Sequence, residues 1–261
     1  MIDIGQGYPI VFVPGIQGRW EWMTLAIREI AKRCRVLTFS YDRTPESRRR
    51  ATPPTTLDSL VDQLREVMDT AGVHRAAICG VSFGGFVAAR FAACHPDRVS
   101  ALILVSSPTP RWRPDERLLR YMQRPLLSMP LVLPAWFLRM WPEIFAAQPT
   151  LAGRARFAAR YLGRIISSPL SVTKMAGWAK LKMATDIEAD CGRITAPSLL
   201  VTGEPALDRV VDIQRSQDWL TLVPGMRHVT MERTGHIGLV TKPELFADIV
   251  CGFVEENTRA R

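Results

Sequence analysis

Cysteine is sparse in this 261-residue chain. The five present (Cys34, Cys79, Cys94, Cys191 and Cys251) are odd in number, widely scattered and never in C-x-x-C spacing. That argues against a disulfide framework and a zinc site, and points to a reducing compartment, the cytoplasm. A bilayer-spanning run, which takes about 20 apolar residues, is missing. The most apolar stretch, Pro125 to Leu138, is bounded by Arg124 and Arg139 and broken by Pro130 and Pro134. Weak contact with a membrane surface stays open; a transmembrane span does not. Met1 to Gly7 show neither the basic nor the apolar region of a secretory signal. Lysine is scarce beside arginine, 5 against 29, and Arg48-Arg49-Arg50 is the only run of three consecutive basic residues. With no nucleic-acid motif alongside, the net charge of +9 reads as arginine-rich composition, and no nucleic-acid partner is expected. H-E-x-x-H, P-loop and dinucleotide fingerprints are also lacking, so no metal or organic cofactor is expected.

What is present is ordinary for a globular protein: 47% hydrophobic and 23% charged residues, with 17 Gly and 19 Pro. The charge is uneven. Residues 109–185 hold 13 basic and 3 acidic side chains, +10, which leaves 21 basic and 22 acidic residues elsewhere, −1.

Six short apolar runs recur: Pro9–Val13, Val36–Ser40, Ala76–Cys79, Ala101–Val105, Ser198–Thr202 and His228–Glu232. Most are continuously apolar, as strands buried on both faces of a parallel sheet are. Amphipathic stretches separate them. The clearest is Leu57, Leu60, Val61, Leu64, Val67, Met68 and Ala71, with Thr55 or Thr56 expected as cap and Gly72 as stop. Thr241-Lys-Pro-Glu244 reads as a capping box opening the last helix. Alternation of this kind predicts an α/β fold with a doubly wound, mostly parallel sheet flanked by helices. It lapses at 109–185, a helical but proline-broken stretch with four of the seven tryptophans. Too long for a loop, it is expected as a helical insertion after the strand ending near Val105.

Gly80-Val81-Ser82-Phe83-Gly84 follows an expected strand and precedes an Ala-rich helix. This is G-x-S-x-G in the context its chemistry needs: a tight turn that pushes the Ser82 hydroxyl out over the strand ends. A serine nucleophile needs a base. His74 precedes the strand and lies on the wrong edge of the sheet, and His95 ends the following helix, about 20 Å away by helical rise. His228 opens the last strand, whereas His236 follows it on the edge where open α/β sheets bind ligands. Asp208 is the favoured orienting acid, with Glu204 and Asp212 as rivals. The backbone amides of Phe83 and Ile16, the latter in the turn Pro14-Gly15-Ile16-Gln17-Gly18, are the expected oxyanion donors.

These four motifs, in order from Pro14 to His236, resemble the α/β-hydrolase fold superfamily. The resemblance implies a core of residues 1–108 and 186–261 with a helical lid, or cap, at 109–185. Pro14-Gly15 stands where family members often carry His-Gly, and the acid loop is longer than the common G-x-x-D form. Almost no room precedes Pro9 for the family's opening antiparallel hairpin. Serine at the elbow disfavours the epoxide-hydrolase and dehalogenase branches, which use Asp there. Trp20 and Trp22, with Trp136, Phe137, Met140, Trp141 and Met175 from the lid, are expected to line a lipophilic pocket. The expected activity is a serine esterase, lipase-like, acting on small lipophilic acyl or aryl esters. The alternatives are an acyltransferase or thioesterase on the same triad, with a basic lid drawing in a phosphorylated acyl carrier, and a non-catalytic small-molecule binder of the same fold.

Overall fold

The computed structural model describes residues 1–41 and 56–258. Arg48-Arg49-Arg50 and Thr55 lie outside the described residues, as do the side chains of 131–133, 137, 162 and 165, Phe137 among them. Among the described residues seven strands form one sheet. They are β1 (Ile2–Ile4), β2 (Pro9–Val13), β3 (Arg35–Thr38), β4 (Ala76–Val81), β5 (Val99–Val105), β6 (Ser198–Thr202) and β7 (Arg227–Thr230). Their spatial order is β1-β3-β2-β4-β5-β6-β7. β1 runs antiparallel to β3, and every other pairing is parallel. A single three-residue strand thus occupies the space before Pro9, with Ile2 opposite Thr38.

β4 and β5 are buried at every position because helices cover both faces of the sheet. Along β2 the side chains alternate between two cores. Val11 and Val13 pack with Leu60 and Leu64 of α2 (Asp58–Thr70) and Phe86 and Phe91 of α3 (Gly84–Cys94). Ile10 and Phe12 pack on the other face with Ile27 and Ile30 of α1 (Thr24–Ile30) and with Phe246 and Val250 near the C-terminus. The stripe expected on α2 is buried as its spacing predicts, and Gly72, at φ +66°, ends the helix region. Its start differs: Leu57 is the cap residue, and no side chain caps it. Thr56 contributes a carbonyl, which accepts the Ser59 hydroxyl at 2.8 Å.

Between β5 and β6 lie α4 (Glu116–Gln123), α5 (Pro125–Ala147), α6 (Leu151–Ser167) and α7 (Val172–Met183). Asp115 and Thr150 cap α4 and α6 through the amides of Leu118 (2.7 Å) and Gly153 (3.1 Å). Contrary to the broken pattern its prolines suggest, α5 continues for 23 residues through Pro130, Pro134 and Pro142. Each proline removes one backbone hydrogen bond, and packing against α4 and α7 supports the helix instead. Among the described residues no helix is long and apolar enough to cross a membrane.

The short helix α8 (Glu188–Cys191) precedes β6, α9 (Ile213–Ser216) and α10 (Asp218–Leu222) lie between β6 and β7, and α11 (Gly238–Thr241) and α12 (Pro243–Thr258) follow β7. The capping box expected at Thr241 is replaced by another contact. The Thr241 hydroxyl donates to Glu143 of α5 at 3.1 Å, so a tertiary partner claims the local cap.

Candidate active site

The sheet reverses its winding between β2 and β4, the switch point at which open α/β sheets bind ligands. Two candidate elements leave the carboxyl edge there. Ser82 follows β4 at φ 52°, a left-handed conformation that costs a non-glycine residue about 1–3 kcal/mol. It is held by its own amide on the Val105 carbonyl (2.7 Å) and by its carbonyl, which accepts the Gly85 amide (2.9 Å) as α3 begins. The flanking glycines are required by contact. A Cβ on Gly80 would lie 2.5 Å from the Gly84 carbonyl oxygen, and one on Gly84 would lie 2.4 Å from that of Val13.

The Pro14–Gly18 turn is closed by Gly18 N–H on the Gly15 carbonyl at 2.8 Å. Tyr41, fully buried, donates its hydroxyl to the Pro14 carbonyl and its amide to the Gly18 carbonyl. Burial pushes the Tyr41 phenol well up, so it remains a donor. A Cβ on Gly15 would sit 3.6 Å from Ser82 Cβ, which puts this turn directly beside the serine.

On the other side, Asp208 Oδ2 lies 3.3 Å from His236 Nδ1, with both residues buried. Asp208 Oδ1 accepts the amides of Val210 (2.9 Å) and Val211 (2.8 Å), which fix the carboxylate. The loops after β6 and β7 are packed backbone to backbone: Glu204 N–H donates to the Thr234 carbonyl at 2.8 Å, and a Cβ on Gly235 would meet the Leu207 carbonyl oxygen at 2.6 Å. Burial pushes the His236 imidazole down. The Asp208 charge, its hydrogen bond and the charge of Glu143 outweigh that and raise it above the ordinary histidine value. The rival acids are engaged elsewhere. Glu204 Oε1 accepts the Arg233 amide (2.6 Å), and Asp212 caps α9 through the Arg215 amide (3.2 Å). His228 is paired with the Thr202 hydroxyl at 2.8 Å, and His95 packs on Phe91.

Ser82, Phe83 and Ile16 line a cavity of about 440 Å³ together with Val210 and Val211. The two residues whose amides hold Asp208 therefore face the serine's cavity. Trp112, Arg113, Leu118 and Arg139 are among the residues of its wall on the insertion side. With Ile16, Trp112 and Leu118 also line a smaller apolar chamber of about 120 Å³, walled by Met175, Ala176 and Ala179 of α7.

None of the four tryptophans expected at the pocket lines the Ser82 cavity; three of them pack where the insertion meets the core, and the fourth, Trp141, lies on the surface. Trp22 is buried, its indole N–H donates to the Ser168 carbonyl at 3.2 Å, and its ring meets Tyr161 and Trp136. It lines a separate cavity of about 420 Å³ beside α1 and α6. Trp20 and Trp136 are partly buried against the core on the α1 and α12 face. Trp141 is exposed against Phe145, and Met140 is buried in the core on the α1 and α12 face. Of the insertion residues expected to line a pocket, Met175 does so, in the apolar chamber.

Three residues escape a reading by motif. Trp112 is one of many aromatics. Glu143 is the lone acid within a long apolar helix, a signal that could have been weighed. Lys182 is fully buried, with Nζ donating to the carbonyls of Pro110 (2.7 Å) and Trp112 (3.0 Å), and so ties α7 to the cavity wall. Among the described residues no group of three His, Cys, Asp or Glu is arranged to hold a metal ion.

Known proteins share this layout. RutD of Caulobacter sp. (strain K31), which carries the name of a carbamate hydrolase, is 26% identical over 247 residues, 94% of this chain and 90% of that one. The crystal structure of a hydrolase from Pseudomonas aeruginosa PA01 superposes with a TM-score of 0.77 at 21% identity, covering 97% of this chain and 92% of the other. The enol-lactonase from Burkholderia xenovorans LB400 does so with a TM-score of 0.76 at 20% identity, covering 97% and 95%. The model of the alpha/beta hydrolase family matches residues 10–249, and the chain belongs to that family.

Proposed function

We propose that the chain is a serine hydrolase of small lipophilic carboxylic esters, working through an acyl-enzyme. Ser82 Oγ attacks the ester carbonyl while His236 Nε2 takes its proton. Asp208 holds the imidazole by Nδ1 and stabilises the imidazolium that forms. The Phe83 and Ile16 amides receive the oxyanion. His236 then protonates the departing alcohol, activates a water against the acyl-enzyme and returns the proton to Ser82. In this reading residues 109–185 act as a lid over the core of 1–108 and 186–261, in the cytoplasm.

The observation that carries the reading is one chain of contacts. His236 is bonded to Asp208, Asp208 to the amides of Val210 and Val211, and those two valines face the cavity that holds Ser82. The apolar chamber opening off Ile16, Trp112 and Leu118 supports a lipophilic arm on the substrate. Likeness to RutD adds carbamates to the compounds worth testing. The test is turnover of chromogenic esters and carbamates by wild type and Ser82→Ala, with fluorophosphonate labelling. Labelling at Ser82 and a loss of at least about 10³-fold in S82A are expected. An unlabelled protein that still binds ester-like ligands would make it a non-catalytic binder.

A second reading, acyl transfer or thioester cleavage, is favoured by Arg113, Arg139 and Arg215, which line the same cavity. They suit a phosphorylated acyl carrier. Product analysis with an added alcohol or thiol acceptor decides between the two.

A further inference from the structure

Glu143 is a charged side chain in an unusual place. It sits near the end of α5, with 1% of its surface exposed, in a helix whose other residues are mostly apolar. An isolated buried carboxylate is strongly unfavourable unless hydrogen-bonded. Here Oε2 accepts the amide of Ile237 at 2.9 Å and Oε1 the hydroxyl of Thr241 at 3.1 Å. Both donors lie in the segment that begins at His236. The carboxylate thus binds the backbone next to the imidazole, and its charge is among those that stabilise the imidazolium.

Resting on the reading of His236 as the base, we infer that Glu143 is its second positioning carboxylate. Asp208 reaches the imidazole from the core loop after β6. Glu143 reaches the adjoining backbone from the helical insertion, so the base is fully equipped only while α5 lies against the His236 segment. This couples the insertion to proton transfer without any contact between Glu143 and substrate.

The other charged groups around the segment have partners of their own or face elsewhere. Glu204 is on the Arg233 amide, and Lys242 donates to the Glu232 carbonyl at 2.7 Å. Of the elements packed on α11, α1 carries Glu29, paired with Lys32, and Arg28, which lines the separate cavity beside Trp22. α12 carries Glu244 and Asp248, the latter paired with Arg33 at 3.1 Å. On α5 itself Arg139 lines the Ser82 cavity, and Tyr161 of α6 is a partly buried tyrosine whose phenol is pushed up by desolvation and by Glu143. Asp208 and Glu143 are therefore the two carboxylates that act on His236.

The experiment compares wild type, Glu143→Gln and Glu143→Ala. Glutamine keeps an acceptor for Ile237 and a polar partner for Thr241 but removes the charge. Histidine is ¹³C-labelled, the His236 resonance is identified by its absence in H236N, and its titration is followed by NMR alongside the pH profile of kcat/KM. In E143Q the imidazole is expected to titrate lower by about half to one pH unit, with little change in Tm. The acid limb of kcat/KM should move down by the same amount. E143A should lose the backbone clamp as well and lower kcat about tenfold or more, with KM moving less. A purely structural Glu143 would lower Tm and leave the titration of E143Q superimposed on wild type, which would overturn the inference. The titration decides this even if S82A and wild type show equal turnover, an outcome that would instead sink the assignment of the nucleophile.

Discussion

Asp208 and His236 meet at 3.3 Å between Oδ2 and Nδ1, across two loops whose backbones are themselves hydrogen-bonded and in van der Waals contact. The pair is fixed from the Asp208 side, because Oδ1 is already held by two amides. Asp208→Asn preserves this shape but puts an amide where the imidazole needs an acceptor. The expected loss in kcat is about 10³- to 10⁴-fold, while E204Q and D212N remain within a few-fold of wild type. A steady-state comparison of the three variants checks it, and equal losses in all three would remove Asp208 from its role.

The same pair sets a pH dependence. With His236 raised above the ordinary histidine value by the Asp208 charge, its hydrogen bond and Glu143, against the opposing effect of burial, the neutral base is lost as pH falls through a midpoint above about 6.5. D208N removes the largest of the raising contributions, so its residual activity should keep its acid limb at a lower pH than wild type. A kcat/KM profile from pH 5 to 9 reads both midpoints.

How much of this was legible in the sequence follows from how local each signal is. The strands, the Ser82 elbow and the positions of Asp208 and His236 at strand ends are encoded over a few residues: continuous apolar runs, glycines forced by contacts under 3 Å, a loop after each strand. The insertion was legible as helices but not as a wall. Which tryptophan faces Ser82 depends on how four helices pack, and Trp22, Trp136 and Trp141 differ from Trp112 in nothing that neighbouring residues reveal. Thr241 is the instructive case. Its local pattern is that of a helix cap, yet its hydroxyl goes to Glu143, about a hundred positions earlier in the chain, because a buried carboxylate needs that donor more.

Gly84 joins the Ser82 elbow to the Pro14–Gly18 turn. A Cβ there would lie 2.4 Å from the Val13 carbonyl oxygen and 2.5 Å from that of Pro14, both backbone atoms that no rotamer change can move. Gly84→Ala is expected to destabilise the fold by about 1–3 kcal/mol and to push the Pro14–Gly18 turn away from Ser82. Gly177→Ala, inside α7 with open space around its Cβ position, is the control and should instead stabilise by about 0.5–1 kcal/mol through helix propensity. Urea midpoints of the two variants give the comparison.

Lys182 makes a stability prediction whose sign can be worked out. Burial, with the Arg113 charge, pushes its pKa down to about 8. The unfolded value is about 10.4, so between these pH values the unfolded chain holds more protons and stability rises with pH. This lysine therefore destabilises the fold most below about pH 8, and that penalty fades as the pH approaches about 10. Wild type should gain stability relative to Lys182→Met between pH 7.5 and 9.5, read as the difference in urea midpoints. A difference that stays constant over that range would mean the ammonium titrates as it does in water.

In the proposed reading the apolar chamber holds the acyl arm of the substrate and so limits its length. An apolar cavity of about 150 Å³ holds a benzene, so the chamber of about 120 Å³ accepts an arm of about four to six carbons. Each methylene it buries contributes about 0.8 kcal/mol, about fourfold in kcat/KM. Activity on p-nitrophenyl esters should therefore climb from acetate through the short acyl chains and level off once the chamber is full. Ala179→Leu places three more carbons inside it, beside Trp112 and Met175, and should bring the plateau forward by about three methylenes while leaving acetate nearly unchanged. The ratio of hexanoate to acetate, measured in both proteins, isolates the chamber from any general effect on folding or on Ser82. A length profile that is the same in wild type and A179L would show that the acyl arm goes elsewhere and that the chamber is only a packing gap in the insertion.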